Sequence, residues 1–228
     1  MYALEFINED TIASGGLDLS IQIWSISSGL TQRIIKTNSV VFSLKLLSNG
    51  FYLACGLENG KIEIYNINDG TLFSSINAHA DRIFDLILIN NDNLLVSSSR
   101  DKTIKVIDLK TNTQKFDLNS HTDDVIGLKQ LSKEIFASSS LDTTIKLWNI
   151  TTGKLMRTLK GHTDYIYWSL DLMGDDQTLV SGSYDQTIKF WNWKTGQLLN
   201  TIYTGTKINS LNIIYSTKKA NENSSITF

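Results

Sequence analysis

Three times along this chain a histidine, a serine and an aspartate recur in one order: His79, Ser97 and Asp101; His121, Ser138 and Asp142; His162, Ser181 and Asp185. These residue types could carry acyl transfer, with serine as nucleophile, histidine as general base and aspartate orienting the imidazole. The recurrence argues against that chemistry. A hydrolase needs one activated nucleophile beside an oxyanion site and a cleft, not three equivalent copies. No catalytic residue is expected, and the chain is not expected to be an enzyme. The histidines lie 42 and 41 residues apart, unlike the short ligand spacings of common metal sites, so no metal and no cofactor are expected. Cys55 reads as a small buried filler rather than a reactive thiol. Ser14-Gly15-Gly16 and Gly56 to Gly60 lack the helix and the Lys-Ser/Thr pair of a phosphate loop. They read as hairpin and close-packing glycines.

The elements that position these residues come from a repeat. Leu17 to Trp24, Arg100 to Ile107, Leu141 to Trp148 and Tyr184 to Trp191 share the pattern X-Asp-X-Ser/Thr-Ile-X-apolar-anchor, and Glu58 to Tyr65 is a weaker copy. The anchors Trp24, Tyr65, Ile107, Trp148 and Trp191 are 41, 42, 41 and 43 residues apart. A period in this range marks a repeat architecture. In the fourth copy, apolar-rich stretches at Val125 to Leu131, Ile135 to Ser139, Thr144 to Trp148 and Leu155 to Leu159 are separated by turn clusters, and residues alternate in character along them, as strands require. The spacing predicts repeats over 1–35, 36–76, 77–118, 119–159 and 160–201, a partial sixth over 202–215, and a polar disordered tail over 216–228. A single four-stranded sheet cannot bury both faces, whereas stacked sheets can. The expected fold is therefore all-β, a β-propeller of four-stranded antiparallel blades, about five plus a partial sixth. A β-solenoid is the alternative.

Composition narrows the partners. The chain has 228 residues, a formal net charge of −2 and a single cysteine. There is no basic excess for nucleic acid and no apolar run long enough to span a membrane. The acidic N-terminus has no basic segment of a secretory signal. Neither nucleic acid nor membrane is expected as a partner, and an intracellular, cytoplasmic location is expected. Lys102, Lys105, Lys146 and Lys189 alternate with apolar residues and read as solvated edges and stems. Proline is absent, leaving turns to Gly, Asn, Asp and Ser.

Gly161-His162 followed by Thr187 to Asn192 resembles the Gly-His…Trp-Asp signature of WD-repeat propellers, and Ser120-His121…Trp148-Asn149 and Ala78-His79…Ile107-Asp108 are variants of it. The resemblance covers residues 1 to about 215. It implies a buried hydrogen-bond tetrad in each blade: His121, Ser138, Asp142 and Trp148; His162, Ser181, Asp185 and Trp191; His79, Ser97 and Asp101 with Ile107 in the tryptophan slot; and Ser14, Asp18 and Trp24 without a histidine. In the second copy Thr37, Cys55, Asn59 and Tyr65 fill the slots, and little of the network is expected there.

The resemblance also implies that one propeller face binds peptides, through residues near the start of each first strand and just before each turn aspartate. Tyr165, Tyr167, Tyr184, Arg82, Phe84 and Arg100 are the partner-binding candidates, since Tyr and Arg dominate interface hot spots. Arg82 and Arg100 together could also clamp a phosphate or carboxylate, although Asp124 would offset part of their charge. The expected function is a non-catalytic scaffold for proteins or peptides, with a small-molecule ligand disfavoured. The alternative is the recognition part of a larger protein, such as a ubiquitin-ligase adaptor or a signalling ATPase. Such rings most often have seven blades. This chain is thus expected to be a fragment of a longer protein, to close its ring with a second chain, or to form a strained or open arc.

Overall fold

The structure, a computed structural model, describes residues 1–89, 93–214 and 225–227. Among these residues every regular element is a β-strand. The chain divides into two compact units, Met1–Asn119 and Ser120–Phe228. The first unit holds three four-stranded antiparallel sheets. Ala3–Asn8, Thr11–Gly15, Ser20–Ser25 and Thr31–Lys36 (β1–β4) form the first sheet. Val41–Leu46, Tyr52–Leu57, Lys61–Asn66 and Leu72–Asn77 (β5–β8) form the second. Ile83–Ile89, Leu94–Ser99, Ile104–Asp108 and Thr113–Leu118 (β9–β12) form the third. The second unit holds two more. Val125–Gln130, Ile135–Ser140, Ile145–Asn149 and Lys154–Leu159 (β13–β16) make the fourth sheet, and Leu170–Leu172, Thr178–Gly182, Thr187–Asn192 and Gln197–Tyr203 (β17–β20) the fifth. A short pair, Asn212–Ile214 and Ser225–Thr227 (β21 and β22), follows. Within the expected tail at 216–228, only Ser225–Thr227 is described, as strand β22; the rest of it lies outside the described residues.

Neighbouring strands are consecutive in every sheet, so short hairpins suffice to connect them. The alternation read from the sequence sorts side chains between two apolar layers. In the second unit, Ala137, Ile145 and Leu147 of the fourth sheet pack against Leu179 and Trp191 of the fifth. Val180, Ile188 and Phe190, on the other face of the fifth sheet, pack against Ile208, Leu211 and Ile213. The first unit repeats the scheme. Ala13, Ile21 and Ile23 meet Val41, Leu53 and Tyr65, and Ala54, Ile62 and Ile64 meet Ile83, Leu95 and Ile107. Close approach is enforced at Gly15 and Gly56, where a Cβ would collide with Val41 and Ile83 respectively. The fourth strand of each sheet is largely exposed.

One irregularity recurs. The register between the third and fourth strands shifts at Ile23/Trp24, Ile64/Tyr65, Val106/Ile107, Leu147/Trp148 and Phe190/Trp191. Each shift falls at an anchor of the sequence repeat. A bulge of this kind re-aims one side chain relative to the regular pleat.

The turn between the second and third strands is also shared. Leu19, Lys102, Thr143 and Gln186 have φ between +54° and +71°, and Gly60 fills the same place at +78°. A left-handed conformation is costly for a β-branched residue, about 1–2 kcal/mol. Thr143→Gly is expected to raise stability by about 0.5–1 kcal/mol, after the extra freedom glycine gives the unfolded chain is subtracted. Gly60→Ala should do the reverse and lower it, because its Cβ would run into the backbone carbonyl of His79. Chemical denaturation midpoints moving the opposite way would show that these turns are unstrained.

Candidate functional site

The fourth sheet brings His121, Ser138, Asp142 and Trp148 together as a closed chain of hydrogen bonds. The Trp148 indole N–H donates to Ser138 Oγ at 2.9 Å; Ser138 Oγ lies 2.8 Å from His121 Nε2; His121 Nδ1 lies 2.7 Å from Asp142 Oδ2. The other Asp142 oxygen accepts from the Thr144 hydroxyl and amide, and Thr122 N–H donates to Oδ2. The fifth sheet repeats this with Trp191, Ser181, His162 and Asp185 at 2.9, 2.8 and 2.7 Å. In the third sheet His79 bridges Ser97 and Asp101 at 2.8 and 2.9 Å, while fully buried Ile107 takes the place of the indole. The first sheet keeps the Trp24 to Ser14 bond at 2.8 Å, and its Asp18 turns to Ser20 and Gln22.

The second sheet solves the same problem differently. Thr37, Cys55, Asn59 and Tyr65 make no network with one another. Thr37 donates to the Ser39 carbonyl, and Cys55 Sγ to the Glu63 carbonyl. The Tyr65 hydroxyl donates to the Glu63 carboxylate at 2.7 Å, and Glu63 is buried. Cys55 is fully buried, and that burial pushes its thiol far above its ordinary value, which disfavours the thiolate.

Burial pushes the His121 and His162 imidazoles below their ordinary pKa, against the pull of Asp142 and Asp185. The ammonium groups of Lys146 and Lys189 add to that effect. These two lysines are a correction: instead of solvated stems they are buried, with Nζ donating to Thr158 and Thr201 hydroxyls. They stand on third strands, enclosed between the second and fourth, so the stem must lie over the sheet. Neutral imidazole settles the polarity of the chain: indole N–H to serine oxygen, serine O–H to Nε2, Nδ1–H to carboxylate. Burial also acts to raise Asp142, yet the His121 and Thr144 hydrogen bonds win and hold it well below the usual carboxylate range. Asp185 is lowered in the same way, chiefly by Thr187 and His162.

The six partner-binding candidates fall into two groups, three in each unit. In the first unit, Arg82 lies 5.0 Å over the Phe42 ring, which stacks on Tyr2 at 4.7 Å and meets Phe84 edge-on at 6.2 Å. Glu58 sits 3.4 Å from Arg82 and Asp81 3.9 Å from Arg100, so internal acids balance both arginines. Phe42 and Phe84 are the residues skipped where the first and second strands shift register, which turns them out of the ladder. In the second unit, Tyr167 stacks on Tyr184 at 4.7 Å, and Tyr165 lies 6.5 and 6.3 Å from these rings. The Tyr184 N–H donates to the Tyr165 carbonyl. Lys207 Nζ lies 4.8 Å over the Tyr184 ring.

Two participants escape a reading by repeat position. Trp168 joins the tyrosines, 5.9 Å from Tyr167 and 40% exposed; its signal is one extra residue between His162 and its serine-paired partner. Glu63 stands where the third, fourth and fifth sheets have Lys105, Lys146 and Lys189 and the first has Gln22; an acid in a β-branched run was the clue.

All three serines of the His-Ser-Asp sets are fully buried, out of reach of a substrate. His162→Ala is expected to cost about 1–3 kcal/mol, because it leaves the buried Ser181 hydroxyl without its acceptor and Asp185 without one of its donors. An unchanged melting temperature would rule out a stabilising tetrad. The pH dependence has a definite sign. His121 and His162 titrate below their unfolded values, so their contribution is full above about pH 6.5 and is lost as the pH falls below it. The lowered aspartates add a second loss below about pH 4. The melting temperature should therefore drop between pH 7 and 5, with a shallower slope in His162→Gln.

The model of the WD domain, G-beta repeat, matches residues 70–108, 112–149 and 153–192. Each matched stretch runs from the outer strand of one sheet through the third strand of the next. Among curated proteins, the APC/C activator protein CDH1 of Saccharomyces cerevisiae is 30% identical over 129 residues, 56% of this chain and 22% of that protein. The WD repeat-containing protein slp1 of Schizosaccharomyces pombe is 29% identical over 128 residues, 55% of this chain and 26% of that protein. The WD repeat and SOCS box-containing protein 1 of Danio rerio is 46% identical over 59 residues, 25% of this chain and 14% of that protein. The matches thus span about a quarter or less of these relatives. With five four-stranded sheets, shared turn and anchor bulge, and the family repeat over half its length, this chain belongs to the WD-repeat family.

Proposed function

We propose that this protein is a non-catalytic WD-repeat scaffold that binds other proteins or peptides. Its binding residues are Tyr165, Tyr167 and Tyr184 in the second unit, and Arg82, Phe84 and Arg100 in the first. The observation that carries the reading is the tyrosine cluster. Three rings lie within 4.7–6.5 Å of one another at the strand and turn ends held by the tetrad, with Tyr165 42% exposed. Exposed clustered aromatics of this kind supply interface anchors at low entropic cost. The names of the relatives, an APC/C activator and a SOCS-box protein, agree with an adaptor role. A second reading, the substrate-recognition part of a larger protein, is favoured by the small share of each relative that this chain matches. In either case the setting proposed is intracellular and cytoplasmic, with no nucleic-acid or membrane partner. No described helix is long and apolar enough to cross a membrane.

Affinity capture with the purified chain tests the reading. Tyr167→Ala and Arg100→Ala should each weaken capture of a bound protein about 30-fold, the loss typical of a hot spot, while melting temperatures stay near the parent value. Retention of every partner by both variants would sink it.

A further inference from the structure

The fifth sheet begins unlike the others. From tetrad histidine to the residue paired with the tetrad serine there are seven positions in the third and fourth sheets, His79 to Leu86 and His121 to Leu128. In the fifth there are eight, His162 to Leu170. The extra residue is absorbed at Trp168. Ser169 N–H donates to the Tyr167 carbonyl at 2.7 Å, closing a three-residue turn around Trp168. The Trp168 backbone then bridges in parallel to Ser210, three residues beyond Lys207. The inserted indole thus extends the tyrosine cluster, and the chain's own ammonium, from Lys207, already lies over one of its rings. Lys207 is an exposed side chain and is cheap to displace.

We infer that Tyr165, Tyr167, Trp168 and Tyr184 receive a cationic side chain, arginine or lysine, from a partner peptide, and that Lys207 holds the cation position until the partner displaces it. The inference rests on the scaffold reading above and names the chemistry of its partner. Aromatic faces carry negative quadrupole charge and attract ammonium or guanidinium groups. An acidic side chain would meet the same negative ring faces, and a purely apolar one would gain apolar contact alone.

Capped tripeptides centred on arginine, lysine, trimethyl-lysine, norleucine or glutamate, titrated into the purified chain and followed by NMR shifts of the Trp168 indole N–H, test this. The cationic peptides should bind more tightly than the norleucine peptide, and the glutamate peptide least of all. Lys207→Met should tighten cation binding about two- to fivefold, and Tyr184→Leu should weaken it by a similar factor. The three cationic peptides distinguish guanidinium, ammonium and quaternary ammonium. Equal binding of norleucine, tighter binding of glutamate, or no effect of Lys207→Met would overturn the inference. If Tyr167→Ala still loses protein partners in that case, the scaffold reading survives alone; if it loses none, both fall.

Discussion

A carboxylate with no bulk water around it must be supplied with donors from the protein, and in the fourth sheet Asp142 receives them from four directions. Thr144 gives its hydroxyl and amide, Thr122 its amide and His121 its Nδ1–H. That single demand ties together the strand-to-strand turn, the loop before the first strand and, through Ser138, the indole of the third strand. Removing His121 would leave the buried Ser138 hydroxyl without its acceptor and Asp142 one donor short, which costs more than the bond itself contributes. The third-to-fourth strand bulge falls where the indole must be aimed, and the left-handed residue falls beside the aspartate. The same bulge and left-handed turn recur in the second sheet, at Ile64/Tyr65 and Gly60, where Asn59 stands in the place of the aspartate, so the carboxylate uses this backbone geometry rather than imposing it.

The sheets show how far this constraint can bend. In the second, a glutamate on the third strand turns inward to the Tyr65 hydroxyl, replacing a four-membered chain with a pair. In the third, Ile107 removes a donor and fills the space with apolar volume, leaving the His79 bridge intact. Replacing a polar group by a shape-matched apolar one is tolerable where no partner is stranded, and Ser97 keeps His79. The sheets therefore share a geometry more strictly than they share a chemistry.

Most of this architecture was legible in the sequence because it is periodic. Strand order, turn positions and the histidine-serine-aspartate sets all follow from a 41- to 43-residue repeat read alongside the alternation of apolar residues. What was not legible breaks the period or depends on packing. Lys146 and Lys189 sit at positions that alternation assigns to a polar face, but neighbouring strands close over them. Trp168 shifts everything after it by one place, and repeat alignment absorbs such a shift silently. The acids that balance Arg82 and Arg100 lie elsewhere in sequence, at Glu58 and Asp81.

The inserted residue also gives the molecule an optical signature. Of the five tryptophans, Trp148, Trp191 and Trp193 are buried and Trp24 is half-buried; Trp168 alone is exposed. Indole emission shifts to longer wavelength in contact with water, and only solvent-reached rings meet a dissolved quencher. The reddest, most acrylamide-sensitive part of the intrinsic fluorescence therefore reports the edge of the tyrosine cluster, while the blue remainder comes from Trp193 and the tetrad indoles Trp148 and Trp191.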